Sequence, residues 1–357
     1  MKTIAIFYGG RSYEHDISII TAIQAMTYID NYKYRIIPVY MKDGKLYAVK
    51  YPQKFMSYIE FNGAKQYGFI NGGLKRGIIK IAVDCALLCT HGGEGENGIL
   101  EGVLEYYNIP HTAPDSAMSA VGMNKWISKA VFDKLGAATV PGALSEDIET
   151  ISKLGYPVIV KPVTLGSSIG IEIAHDESEL NNALNIAKFY DDSIIVERVV
   201  ADRMELNCAA FLNDGRIIVS AIEKPVTWQE YLTFGDKYNT SGKVRAEKEL
   251  PAIISEELTN EVKNTTELIY KALKLCGVVR VDYLYSQKEK KLYINEINTI
   301  PGSLAYYLFS DNGLTFSKLI DLIIAEGIRR GNPKKVEYRT DVLKQYISSG
   351  STLKSSK

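Results

Sequence analysis

The chain has 357 residues, more than one hydrophobic core usually organises, so two or three domains of roughly 100 to 200 residues each are expected. Hydrophobic residues make up 46% and charged residues 24%, which is enough apolar surface for sizeable cores and excludes bulk disorder. The 42 basic and 42 acidic residues cancel, which leaves no global field to collect nucleic acid or an anionic membrane; any phosphate must be met by local groups.

From the N-terminus, residues 3–8 form a compact apolar run that ends at Gly9-Gly10 and leads into a periodic segment at residues 17–29, the pattern of strand, tight turn and helix. Met1-Lys2 enters that strand without a signal-peptide core, and no apolar run approaches the roughly 20 residues of a membrane span. A cytoplasmic location without a membrane partner is therefore expected. Strand-like runs follow at residues 35–40 and 82–89, the second leading through His91-Gly92-Gly93-Glu94-Gly95-Glu96-Asn97-Gly98 into a helical pattern at residues 99–107. The recurrence of strand, glycine loop and helix predicts a parallel, Rossmann-like α/β first domain over residues 1–113. Cys85, Cys89, Cys208 and Cys276 sit in or near apolar stretches and read as buried thiols rather than a zinc site.

A central domain over residues 114–200 begins near Pro114 with a helix at residues 116–135, followed by the strand Tyr156-Pro157-Val158-Ile159-Val160-Lys161-Pro162, a glycine-rich stretch and a strand at residues 193–197. The third, residues 201–330, contains an aperiodic stretch at 227–243, expected to be a long functional loop. A helix at 255–275 and strands at 278–285 and 291–298 follow, joined by a polar turn, and an amphipathic helix at 315–328 closes the unit. Residues 331–357 are expected as a polar, frayed tail. The fold class is α/β (α+β).

The sharpest chemical signal is Arg280-Val281-Asp282 with Glu296-Ile297-Asn298. Residues two apart share a strand face, and antiparallel pairing about a turn near Lys288 sets Asp282 almost opposite Glu296. Two carboxylates and an amide oxygen suit Mg²⁺, while the same spacing also fits a plain strand face with Arg280 paired to a carboxylate. Lys125, Lys161 and Lys237 are each able to meet a phosphate. Lys161 ends an apolar strand shortly before Gly166-Ser167-Ser168-Ile169-Gly170, a loop that offers backbone N–H groups and hydroxyls to an anion. It is not a Walker loop, and Gly9-Gly10-Arg11-Ser12 lacks the dinucleotide fingerprint, which disfavours a nicotinamide enzyme.

In order, Gly9-Gly10 with Glu14 and Ser18, the loop from His91 to Gly98, Lys161-Pro162 with Gly166-Ser167-Ser168-Ile169-Gly170, Arg280-Val281-Asp282, and Glu296-Ile297-Asn298-Thr299-Ile300-Pro301-Gly302 resemble the D-alanine–D-alanine ligase family, which includes D-Ala–D-Ser and D-Ala–D-lactate variants. The resemblance implies an ATP-grasp fold of three domains, a homodimer joined through the first domain, and formation of a peptidoglycan precursor from small amino acids and ATP. It also implies two Mg²⁺ ions, which Mn²⁺ can replace. Lys125, Lys161 and Lys237 would contact the ATP phosphates with Ser168 beside them, while Glu197, Val199, Val200 and Glu205 would hold adenine and ribose. Asp282, Glu296 and Asn298 would bind the metal. Glu14 would anchor the first ammonium group beside Ser167 and Tyr238, Arg280 and the Gly302 amide would stabilise the oxyanion and substrate carboxylate, and His91, Tyr307 and Leu308 would meet substrate.

The chain departs from the family pattern at three places. Asn97 stands where Asp is common, and Asp202-Arg203-Met204-Glu205 replaces a shorter glycine-containing stretch, which leaves the ribose contact at Glu205 open by one residue. Most consequentially, Tyr307-Leu308 replaces a Ser-Leu pair whose serine helps to bind the second amino acid, so an acceptor other than D-alanine is one expectation. The Lys237-Tyr238 pair favours an amine acceptor over a hydroxy acid. Two rival readings are a ligase of secondary metabolism and a nucleotide-binding protein that has lost catalysis; the retained polar set weighs against the second.

Overall fold

A computed structural model describes residues 1–49, 64–225, 248–331 and 337–349. Lys237, Tyr238 and the whole of the stretch 227–243 lie outside the described residues. The strand Lys2–Gly9 runs inside a seven-stranded sheet, parallel to Tyr34–Lys42 on one side and to Cys85–Leu88 on the other. Ile4, Ile6 and Phe7 are fully buried, as a strand covered on both faces requires.

The first unit is only partly parallel. Beyond Tyr34–Lys42 the sheet continues antiparallel through Lys45–Ala48, Gln66–Ile70, Gly73–Arg76 and Ile79–Ala82. Two of its turns are Asp43-Gly44 and Asn71-Gly72, two-residue hairpin loops that use φ > 0. The run expected at residues 82–89 is also divided, because Ile79–Ala82 belongs to a hairpin and Cys85–Leu88 to the parallel part. The helix expected at residues 116–135 is likewise two helices, Ser116–Met123 and Lys125–Lys134. Between them Asn124 leaves the helical region at φ −91° and ψ 103°, and its side chain accepts the Ile127 N–H as a cap. The break lets the Lys125 N–H dock on the Val163 carbonyl at 3.0 Å.

The central sheet is antiparallel, in the order Glu172–Ala174, Val158–Pro162, Ile194–Arg198, Gly142–Leu144, and has its own core around Val158, Val160, Ile194 and Val196. The third sheet orders Lys248–Glu249, Arg216–Pro225, Arg203–Asn213, Val279–Ser286 and Lys291–Asn298, all antiparallel, with the helix Glu256–Ala272 on one face.

The helix Phe316–Arg330 ties the two ends of the fold together. Its Phe316, Leu319, Ile320, Ile323 and Ile324 share one core with Ile4, Phe7 and Leu87 of the first sheet and with Phe211 and Phe309. Lys33 also pairs with Asp321 at 2.8 Å. Close passage requires Gly327, where an added Cβ would lie 2.8 Å from the His111 carbonyl oxygen. Leu308 is completely buried in this core, and its side chain packs the interior. In place of a frayed tail, residues Asp341–Ser348 form a helix that buries no side chain. Among the described residues no helix is long and apolar enough to cross a membrane.

Truncating Leu308 to Ala should cost roughly 2–5 kcal/mol by leaving a cavity in the shared core, read as a lower urea midpoint with an unchanged slope.

Candidate active site

Four polar residues line up across the third sheet. Glu223 pairs with Asn207, Asn207 with Asp282 and Asp282 with Glu296, and residues directly opposed in antiparallel strands share a face. Arg280 stands opposite Asn298 on that face, so the register expected from the sequence is the one observed. Tyr283 pairs with Ile294 while Asp282 pairs with Glu296, which makes Asn295 the extra residue of a β-bulge. Consecutive residues Asn295 and Glu296 thereby both reach a cleft of about 430 Å³, which also takes in Glu14, His91, Lys125, Ser167, Arg280, Gly302 and Tyr307.

At the centre of the cleft Arg280 donates to Asp282 from Nε at 2.6 Å and from Nη2 at 2.7 Å, and Asn298 Nδ2 donates to the same carboxylate at 3.1 Å. Burial alone would lower the guanidinium pKa, but Asp282 outweighs it and holds the group well above its ordinary value. The pairing of Arg280 with a carboxylate is thus present inside the candidate metal set. Among the described residues no three His, Cys, Asp or Glu side chains group to hold a metal. Asp282, Glu296 and Asn298 nevertheless supply hard oxygens on one face, a donor set that fits Mg²⁺ completed by water and phosphate.

A smaller lobe of about 80 Å³ holds Lys161, Ser168, Glu197 and Val200, and shares Lys125, Glu205 and Glu296 with the larger one. Lys161 donates to Glu197 at 2.7 Å and to Asn295 at 3.0 Å, and Lys129 donates to the other Glu197 oxygen. Burial would raise the Glu197 carboxyl, but Lys161 and Lys129 outweigh burial and hold it at about 2. Lys125 donates to the Leu165 carbonyl and stands 3.5 Å from Glu296. Glu205 faces Arg203 at 3.3 Å. Val199 lines neither lobe, and its N–H is used by the Pro157 carbonyl at 3.2 Å. Lys129 was not singled out in the sequence, although its i+4 spacing from Lys125 on one helix would have signalled it.

At the opposite end Ser167 donates to Glu14, from a loop whose Ser167 and Ser168 take φ values of 54° and 60°. Glycine suits the backbone beside that carboxylate, since Gly92 takes φ 62°, a conformation that L side chains rarely adopt.

The first sheet's loops reach across to the strand end. His91 Nδ1 lies 2.7 Å from the Ile300 carbonyl, which only accepts, so the ring carries its proton there. Its Nε2 then accepts from the Thr21 hydroxyl at 2.7 Å. Burial pushes His91 down to about 4, which keeps the ring neutral near pH 7. Glu96 accepts from the N–H groups of Gly92 at 2.8 Å and Ile300 at 2.9 Å, and from Thr299 at 3.2 Å; burial and then the nearby Glu14 charge lift its carboxyl to about 7. After Gly302, Ser303, Leu304 and Ala305 take φ values of 52°, 51° and 44°, a left-handed run that costs L residues roughly 1–2 kcal/mol each. Tyr307 then donates to Glu223 at 3.0 Å, and Asn207 donates to the same oxygen at 3.1 Å. Thr21, Asn207, Glu223 and Asn295 were missed in the sequence because nothing local marks a polar residue that gains its partner from a distant strand.

Two family models account for most of the chain: one described as D-ala D-ala ligase N-terminus matches residues 3–114, and one described as D-ala D-ala ligase C-terminus matches residues 127–325. A D-alanine–D-alanine ligase of Thermosipho africanus is 36% identical over 356 residues, covering 94% of this chain and 95% of that protein. Among solved structures, the VanG D-Ala:D-Ser ligase from Enterococcus faecalis superposes with a TM-score of 0.79 at 26% identity, over 91% of this chain and 99% of that one. A D-alanine–D-alanine ligase from Bacillus anthracis complexed with ATP gives a TM-score of 0.69 at 26% identity, over 94% of this chain and 100% of that one.

Replacing Glu197 with Gln leaves two buried ammonium groups uncompensated and should cost roughly 3–5 kcal/mol in urea unfolding. Because the folded carboxyl is depressed from 4.5 to about 2, the stabilisation is fully present above pH 4.5 and is lost as pH falls through 2. The difference between variant and parent should shrink over that window; a constant difference would contradict the assignment.

Proposed function

The chain belongs to the D-alanine–D-alanine ligase family, and we propose that it joins two D-alanine molecules through an acyl phosphate, at the expense of ATP, to supply a peptidoglycan precursor. The observation that carries this reading is the convergence, in one cleft, of an ammonium-binding end at Glu14 and Ser167, a central face of Arg280, Asp282, Glu296 and Asn298, and cationic Lys125 leading to Lys161 in the adjoining lobe. As part of the same proposal, two Mg²⁺ ions, or Mn²⁺, are held at Asp282, Glu296 and Asn298. The protein acts as a cytoplasmic homodimer divided into domains at residues 1–113, 114–200 and 201–330, with 331–357 a polar tail.

A carboxylate is a poor acyl donor, and an acyl phosphate provides the leaving group that a following amine attack needs. Glu14, positioned by Ser167, holds the ammonium of the first amino acid. Lys125 and Lys161 present compact positive charge to phosphate oxygens. Magnesium, when bound, offsets charge on those oxygens. Arg280 and the Gly302 amide supply donors for the oxyanion of the tetrahedral intermediate. In this reading nucleotide phosphates compete with Glu197 and Glu296 for the two lysines, and the lobe around Val200 and Glu205 takes the nucleoside. Lys237 and Tyr238 carry the roles implied by resemblance, to the phosphates and to Ser167.

A second reading concerns the acceptor. The half-buried Tyr307 phenol, bonded to Glu223, narrows the position where a small side chain is usual, and one solved relative is a D-Ala:D-Ser ligase. Phosphate release from Mg-ATP is to be measured with D-alanine alone and then with D-alanine plus D-serine, D-lactate or glycine, with products identified by mass. Dipeptide from D-alanine alone is the expected result; turnover only with a mixed pair would shift the assignment to the second reading. Under the better condition, Arg280→Ala should lower kcat by about 10²-fold or more, and an unchanged kcat would remove Arg280 from the mechanism.

A further inference from the structure

Thr21 lies in the middle of the helix His15–Tyr28, is fully buried, and carries no role in the reaction described so far. A threonine inside a helix usually returns its hydroxyl to the carbonyl four residues back, as Thr27 does to Ile23 at 2.7 Å and Thr266 to Val262 at 2.8 Å. Thr21 instead reaches out of its helix. Its hydroxyl meets His91 Nε2 at 2.7 Å and accepts the Ser303 N–H at 3.0 Å.

With the His91 ring neutral, the direction of every proton in this relay follows from its ends. The Ile300 carbonyl and the Ser303 N–H each have only one possible sense, so Ser303 donates to Thr21, Thr21 donates to His91, and His91 donates to Ile300. The relay therefore closes a ring that holds both sides of Pro301-Gly302 from the first sheet's side of the cleft. Ser303 is also the first residue of the left-handed run, which no L residue prefers and which must be held from outside. The Leu304 N–H bonds the Pro301 carbonyl at 2.8 Å, and Leu304 and Ala305 are buried in the shared core. Among the described residues, Thr21 supplies the polar anchor of the Ser303 N–H.

We propose that Thr21 is a positioning residue for the acceptor amino acid: through His91 and Ser303 it sets the backbone that presents Gly302 and Tyr307. The inference rests on the ligase reading above, since it sets Tyr307 at the acceptor and Gly302 at the oxyanion that forms when the acceptor attacks. It places the effect of Thr21 on one substrate and not on the nucleotide, because the relay touches none of Lys125, Lys161 or Glu197.

The test compares Thr21→Val, which keeps the shape and removes the hydroxyl, with Thr21→Ser, which restores it. Leaving the Ser303 N–H and a buried ring nitrogen without their partner should raise the KM for the acceptor by about tenfold or more in Thr21→Val. Thr21→Ser should stay within about threefold of the parent, and the KM for ATP should move by less than about twofold in both. Equal rises in the ATP and acceptor KM values, or a serine variant as impaired as the valine one, would show a general structural role and overturn the proposal. A lower thermal midpoint for Thr21→Val without any split between the two KM values would do the same. If the parent protein forms no dipeptide with any amino acid tried, the ligase reading itself fails, an outcome visible before either variant is made.

Discussion

Everything in the cleft depends on how two antiparallel strands, Val279–Ser286 and Lys291–Asn298, are paired. Their register places Arg280, Asp282, Glu296 and Asn298 on one face, and a slip of one residue would send the whole set to the opposite face. The bulge at Asn295 adds what a regular pair cannot: a neighbouring residue on the same side, which holds Lys161. Backbone geometry thus joins the central carboxylates to the lysine lobe, and the row Glu223–Asn207–Asp282–Glu296 carries the polar surface across four strands.

The charges gathered there are matched among themselves. Arg280 sits with Asp282, Lys161 and Lys129 with Glu197, and Lys125 near Glu296. Buried ions are tolerated only when paired and hydrogen-bonded, so this matching lets the cleft hold many charges without unfolding. Substrate groups entering such a site exchange partners with residues already oriented, and little rearrangement of solvent is needed.

Elements whose signal is local were legible in the sequence. Period-two spacing located the central hairpin and its facing residues, and apolar runs located the strands Lys2–Gly9 and Val158–Pro162. The break at Asn124 was written as a cap residue but hidden by helical sequence on both sides, and the antiparallel extension was marked only by Asp43-Gly44 and Asn71-Gly72. The bulge left no trace, because one inserted residue does not disturb the apolar pattern around it. Leu308 carried a similar ambiguity: adjacency to Tyr307 in sequence says nothing about which of the two side chains turns into the core. Motif residues such as Glu14, Lys161 and Arg280 could be found in advance, whereas Thr21, Glu96 and Glu223 acquire meaning only from what the fold sets against them.

The core shared by the first sheet and the helix Phe316–Arg330 also constrains how the protein can be made. A ribosome delivers Ile4, Ile6 and Phe7 long before it delivers Leu319, Ile320 and Ile323, so the core they share is complete only when nearly the whole chain has emerged. The central sheet, which owns its core, is free of that delay and can close as soon as its strands leave the exit tunnel. Synthesis therefore runs from one end to the other, while the shared core is completed only when its two distant parts meet.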